Sequence, residues 1–140
     1  MTKGKVITDS NEIKEILQKS KKIAVLGISS KKERDSYKVA QYLIDNGYEI
    51  FPVRPGGGEI LGLEVHENLD LVEEKIDILD VFRGSEHVPA HVDEALRMKP
   101  SVFWMQLGVE NLEAAEILTE NGIDVIMDRC IKIEHKRLCG

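Results

Sequence analysis

Cysteine is scarce in this chain. There are two, Cys130 and Cys139, nine positions apart, which fits neither a secreted disulfide framework nor a C-x-x-C metal or redox motif, so both are expected as free thiols. No run approaches the roughly 20 apolar residues of a membrane span, and the opening M-T-K-G-K-V has no apolar signal-peptide core, so a cytoplasmic protein is expected. No excess of positive charge exists either. A formal net charge of −6 argues against nonspecific binding to nucleic acid or membrane, since both require a basic surface to capture phosphates. Nor is there an H-E-x-x-H metal motif or a recognisable nucleophile triad. His87 and His91 lie four apart, a spacing that can hold a metal, but no third ligand accompanies them and no metal is assigned.

What is present is ordinary soluble composition, 42% hydrophobic and 31% charged over 140 residues. That is one domain with a real core and no space for a separate substrate domain. Its organising stretch is Lys22 to Tyr37. Ile23, Ala24, Val25 and Leu26 form an unbroken apolar run, the pattern of a parallel strand covered on both faces, and Gly27 lets the chain leave that strand sharply. A short polar loop then leads to Ser36, read as the N-cap of a helix with Val39, Ala40, Leu43 and Ile44 on one face. A helix N-terminus with free amides attracts phosphate. A dinucleotide fingerprint would place its second and third glycines at Ser29 and Lys32, so only Gly27 of the three is there and the NAD-type signal fails. An αβ crossover with no ligand is the alternative.

The same strand-then-helix logic recurs. Asp9 and Glu12 resemble a capping box before a short helix over residues 1–20 carrying Ile13, Ile16 and Leu17. Tyr48 to Val53 forms the second strand and ends in P-V-R-P-G-G-G. Folds that bind NAD usually carry an acidic residue near this end, whereas here Arg54 stands between Pro52 and Pro55, suited to a phosphorylated ribose or simply solvated. Leu63 to Val65 reads as an edge strand and Leu69 to Lys75 as one or two helical turns. Asp77 to Phe82 is a buried strand with Arg83 at its C-terminal end, where open α/β sheets bind ligands. Asp80 is a carboxylate inside it, expected to be satisfied by nearby backbone. Ser85 is read as the cap of a helix carrying Val88, Val92, Ala95 and Leu96, with Pro89 in its first turn. Ser101 to Gln106 is the next strand, with Trp104 in the core and Gly108 at the ligand edge. Asn111 caps a helix with Leu112, Ala115 and Leu118, and Ile123 to Ile126 is the last strand. Asp128 is read as the cap of a final helix, which would place Cys130 in its first turn beside Arg129, a position in which cysteines can be reactive; an inert cysteine is the alternative.

The order V-L-G-I-S, S-Y-K-V, P-V-R-P, D-V-F-R-G-S-E-H-V-P, W-M-Q-L-G-V, M-D-R-C-I-K-I-E-H resembles the stand-alone CoA-binding domain family, over about Lys21 to Leu138. It is similar to the N-terminal CoA-binding domain of the succinyl-CoA synthetase α subunit. The resemblance implies an α/β, Rossmann-like three-layer fold with a mostly parallel sheet of five or six strands, and coenzyme A or a short acyl-CoA at the C-terminal sheet edge. By position it implies that Gly27, Ser29 and Ser30 approach the diphosphate and that Lys38 and Arg54, with Pro52 and Val53 beside them, lie near the adenosine phosphates. It further implies that Val81, Phe82 and Arg83 line the adenine or pantetheine side and that Gln106, Leu107 and Gly108 flank the same cleft. Cys130 emerges at that edge too. The sequence departs from the family at Arg54, where asparagine is frequent. Relatives that perform thioester chemistry add further domains and a phosphorylated histidine in a glycine-flanked loop, which this sequence does not contain. The expected function is therefore a carrier, sensor or regulatory module for a small-molecule ligand, with no protein partner assigned. An NADP-linked reductase and an interaction protein with a vestigial nucleotide site are the alternatives.

Overall fold

A computed structural model describes residues 3–140. Five parallel strands form one sheet: β1 (Lys22–Leu26), β2 (Glu49–Val53), β5 (Ile78–Val81), β6 (Val102–Met105) and β7 (Asp124–Ile126), in the spatial order β2-β1-β5-β6-β7. Both faces are covered. Ile23 and Val25 of β1, Ile78 of β5 and Trp104 of β6 pack beneath α1 (Ser10–Lys19), α2 (Asp35–Asp45) and α5 (Ile131–Leu138). The alternate residues Ala24, Leu26, Leu79, Val81, Phe103 and Met105 pack beneath α3 (Val92–Met98) and α4 (Leu112–Glu120). This explains why the strands are unbroken apolar runs, since in a three-layer fold neither side of a strand meets water.

The expected sixth strand has a different place. Residues 63–64 form β4 (Leu63–Glu64), paired antiparallel with β3 (Glu59–Ile60) in a separate hairpin. Its turn residues Leu61 and Gly62 both have positive φ, 54° and 75°, the twist that two-residue hairpin loops require. A bridge between Val53 and His66 joins this region to β2, and Ile60 and Val65 pack in the same core as Ile50. The helical turns expected after it shrink to a 3₁₀ turn, Leu69–Leu71.

Three caps differ from expectation. Helix α2 starts at Asp35, with Arg34 as N-cap and Ser36 inside the first turn. The helix expected from Ser85 is a 3₁₀ stretch, Ser85–His91, followed by α3; Pro89 has no N–H to give an α-helical bond. Ser85 accepts instead from the Glu110 amide at 3.0 Å. Asp128 is two residues ahead of the α5 N-cap, which is Cys130 itself. Asp9 does cap α1, accepting from the amides of Asn11 and Glu12, but the Glu12 carboxylate pairs with Lys5 rather than closing a capping box. Asn111 caps α4 as expected, yet Leu112 faces water at 69% exposure while Ala115 and Leu118 are buried.

Candidate functional site

Between β1 and β5 the strand order reverses. The chain leaves β1 toward β2 on one side and β5 lies on the other, so the C-terminal ends of β1 and β5 bound the crevice where open α/β sheets take ligands. Three strand ends are stitched together there. The Gly27 amide donates to the Val53 carbonyl at 2.9 Å and the Phe82 amide to the Leu26 carbonyl at 2.8 Å. Gly27 has φ +85°, and a Cβ on it would stand 2.5 Å from the Phe82 carbonyl oxygen, so glycine is required by conformation and by space.

The loop after Gly27 folds onto α2. The Ser29 amide donates to the Ser36 hydroxyl at 2.9 Å, and the Lys31 amide to the Ser29 hydroxyl at 3.1 Å. Ser36 thus braces the loop from inside the helix. No side chain caps α2, so its first-turn amides keep their attraction for an anion. In front of them lies a cavity of about 400 Å³, bounded by Gly27, Ser29, Ser36 and the cations Lys31 and Arg34.

A second cavity of about 480 Å³ adjoins it, sharing Asp35 and Phe82. Its walls are chemically different. Val39, Leu107, Val109 and Ile133 make it largely apolar, Lys38, Arg83 and Lys132 supply charge, and Gln106 and Cys130 complete it. Leu107 and Ile133 are 64% and 53% exposed. None of Lys31, Arg34, Lys38, Arg83 and Lys132 appears in an ion pair among the described residues, whereas Lys5, Lys22, Arg97, Arg129 and Arg137 are all paired elsewhere. The Arg83 Nε is moreover buried with no partner among the described residues. In a chain of net charge −6, these five cations stand free of ion pairs around one cleft.

Asp80 lies within the sheet below the chamber, wholly buried between Val25 and Trp104 on the neighbouring strands. Its partner is a side chain, not the backbone anticipated from sequence: Oδ1 accepts from the Gln106 amide nitrogen, and Oδ2 has no partner among the described residues. Burial pushes this carboxyl up to about 8, against the opposing effect of the Gln106 hydrogen bond. Desolvation wins because one neutral donor cannot replace the water a carboxylate has lost. On the far side of the cleft, Asp128, at φ +57°, accepts from the Gly108 amide at 2.7 Å. The Trp104 indole donates to the Arg129 carbonyl at 2.8 Å. These contacts fix the loops after β6 and β7, which bring Gln106 and Cys130 to one cavity.

The two cavities bring together Gly27, Ser29, Lys38, Phe82, Arg83, Gln106, Leu107 and Cys130. Ser30 is exposed, and Arg54, half-buried after β2, lines neither cavity. Pro52, Val53 and Val81 are buried within their strands, and Gly108 shapes the loop without lining either space. Sequence reasoning missed Lys31, Arg34, Val109, Lys132 and Ile133. The cationic run K-K-E-R directly after the glycine turn was a usable signal for the first two. His87 is exposed and faces Glu86, while His91 pairs with Glu94 at 3.1 Å; no group able to hold a metal occurs among the described residues.

A larger cavity, about 690 Å³, lies under the β3–β4 hairpin. Glu64, Glu67, Glu73 and Glu74 line it with no lysine or arginine, a field that repels a phosphorylated ligand. Size therefore yields to chemistry in choosing the site.

The family model for the CoA binding domain matches residues 21–136. A Bacillus subtilis protein, the uncharacterised protein YneT, is 48% identical over 124 residues, 89% of this chain and 92% of its own length. Among solved structures, cell-free ID.343 from Thermus thermophilus superposes with a TM-score of 0.90 at 38% identity, covering 94% of this chain and 99% of its own. A hypothetical protein from Pyrococcus horikoshii OT3 gives 0.91 at 34% identity over the whole of both chains.

Proposed function

We propose, from the fact that the chain belongs to the CoA-binding domain family, that it binds coenzyme A or a short acyl-CoA in the paired cavities at the β1–β5 switch point. The observation that carries this reading is the split chemistry of the cleft. The mouth offers free helix amides with Lys31 and Arg34, suited to a diphosphate. The adjoining chamber offers apolar walls with a few polar groups, suited to a pantetheine arm and its thiol or thioester. A dinucleotide such as NADP has sugars and a ring at both ends and no comparable tail. Arg83, whose buried Nε has no partner among the described residues, is a cation awaiting an acceptor. A carrier or sensing role fits a chamber whose polar groups include a thiol and an amide.

Titration calorimetry with coenzyme A, acetyl-CoA, NAD and NADP tests this. Coenzyme A is expected to bind at least ten-fold more tightly than either dinucleotide, a margin that one charge-assisted contact of about 1.5–3 kcal/mol supplies. NADP binding as tightly or more tightly overturns the reading and favours a reductase.

A further inference from the structure

Asp80 is poorly suited to its surroundings if packing is its only task. Aspartate is disfavoured in strands, and the flanking core positions are Val25 and Trp104. Among the described residues its side chain has one contact that leads anywhere, the hydrogen bond to Gln106. Gln106 is itself only 6% exposed and lines the chamber. An amide has a donor end and an acceptor end of the same size, so it can turn over without repacking, and whichever end faces Asp80 leaves the other for the chamber.

We propose that Asp80 is a positioning residue: by holding one end of the Gln106 amide it decides whether a donor or an acceptor faces the ligand, and it thereby sets the preference of the chamber for a thioester carbonyl. The inference rests on the coenzyme A reading above and specifies the acyl-CoA end of that ligand. When Asp80 is ionised it accepts from Gln106 Nε2, the arrangement seen in the structure, and Oε1 faces the chamber, where it repels a carbonyl. When Asp80 holds its proton, the carboxyl O–H donates to Gln106 Oε1. Nε2 then faces the chamber and donates to the carbonyl of a bound thioester. Burial, with Oδ2 unpartnered among the described residues, favours the protonated carboxyl and with it the second arrangement.

The other groups around Asp80 leave this choice to it. From α2 the titratable side chains at the chamber are Asp35 and Lys38, from α5 and its N-cap Lys132 and Cys130, and from the loop after β5 Arg83. Deeper in α5, Glu134 is tied to Arg129 and Arg137 and His135 to Tyr42. The inward residues of α1 are Ile13, Ile16 and Leu17. Only burial and the Gln106 bond move the Asp80 carboxyl from its ordinary range.

Two measurements decide the matter. The first compares the affinities of acetyl-CoA and desulfo-CoA, neither of which has a titrating thiol, at pH 6.5 and pH 9. The wild-type preference for acetyl-CoA should fall about five- to ten-fold at the higher pH, the value of one hydrogen bond. In Asp80→Asn the preference should be the same at both pH values, and in Gln106→Leu it should be low at both. A purely structural Asp80 gives no pH-dependent preference. The second follows the Gln106 side-chain amide by NMR in the ligand-free chain, where it should titrate with a midpoint near 8 and cease to do so in Asp80→Asn. A wild-type preference that does not change with pH, a pH dependence that survives Asp80→Asn, or an amide signal that does not titrate overturns the proposal. If Asp80→Asn does not fold, the wild-type NMR titration and Gln106→Leu still decide it. Failure of all CoA derivatives to bind while the amide titrates counts against the coenzyme A reading instead.

Discussion

A carboxyl free in the unfolded chain loses its proton near pH 4, and Asp80 in the fold keeps it to about 8. Between those values the unfolded state binds fewer protons than the folded state, so stability declines as pH rises, by at most about 1.4 kcal/mol per pH unit, and levels off above 8. Asp80→Asn removes this dependence. Its stability relative to the wild type, from urea midpoints, should therefore grow steadily from pH 5 to pH 8; parallel curves would show that Asp80 does not hold its proton. Cys130 supplies a second residue-scale prediction. It lines the chamber where the thiol end of the ligand is placed, whereas Cys139 lies at the other end of α5 beside His135 and Tyr48. In exchange with CoA disulfide, the Cys130 sulfur attacks one sulfur of the disulfide, a protein–CoA disulfide forms, and one CoA leaves as thiolate. Binding raises the local concentration for Cys130 alone. Intact mass should show one CoA adduct that is lost in Cys130→Ser and kept in Cys139→Ser; the reverse pattern rules the placement out.

At the scale of elements, the sharpest test is the turn after β1. Gly27→Ala introduces a side chain at φ +85° with its Cβ 2.5 Å from the Phe82 carbonyl. Such a change costs more than the roughly 0.4–1 kcal/mol that alanine gains where it fits, and separating β1 from β5 should weaken ligand binding as well. A thermal midpoint unchanged by Gly27→Ala would mean that the strand ends are not packed as described. This turn was legible from sequence, as were the five parallel strands, because a strand covered on both faces must be written as an apolar run. The β3–β4 hairpin was not, since Leu61 takes a left-handed conformation without the Asn-Gly or Asp-Gly signal that usually announces one. Residue type alone makes Ser36, Ser85 and Asp128 candidate caps. A short side-chain oxygen near a helix start has other amides in reach, and here they are those of Ser29, Glu110 and Gly108; only the assembled fold reveals which one wins. Gln106 could be placed at the sheet edge by counting along β6, but its tie to Asp80 depends on the register Asp80–Trp104 between β5 and β6.

For the molecule as a whole, charge sorts the surface. A chain of net charge −6 gathers unpaired Lys31, Arg34, Lys38, Arg83 and Lys132 around one cleft and four glutamates around the larger cavity beneath the hairpin. A phosphorylated ligand is drawn to the first and repelled from the second. An amide NMR titration with coenzyme A reads both sites in one experiment. The account predicts that the signals of Gly27, Ser29, Ser36, Gln106 and Cys130 move together and saturate, while those of Gly57, Gly58 and His66 stay in place. Shifts confined to the hairpin cavity, or no saturable shift in the cleft, would contradict it.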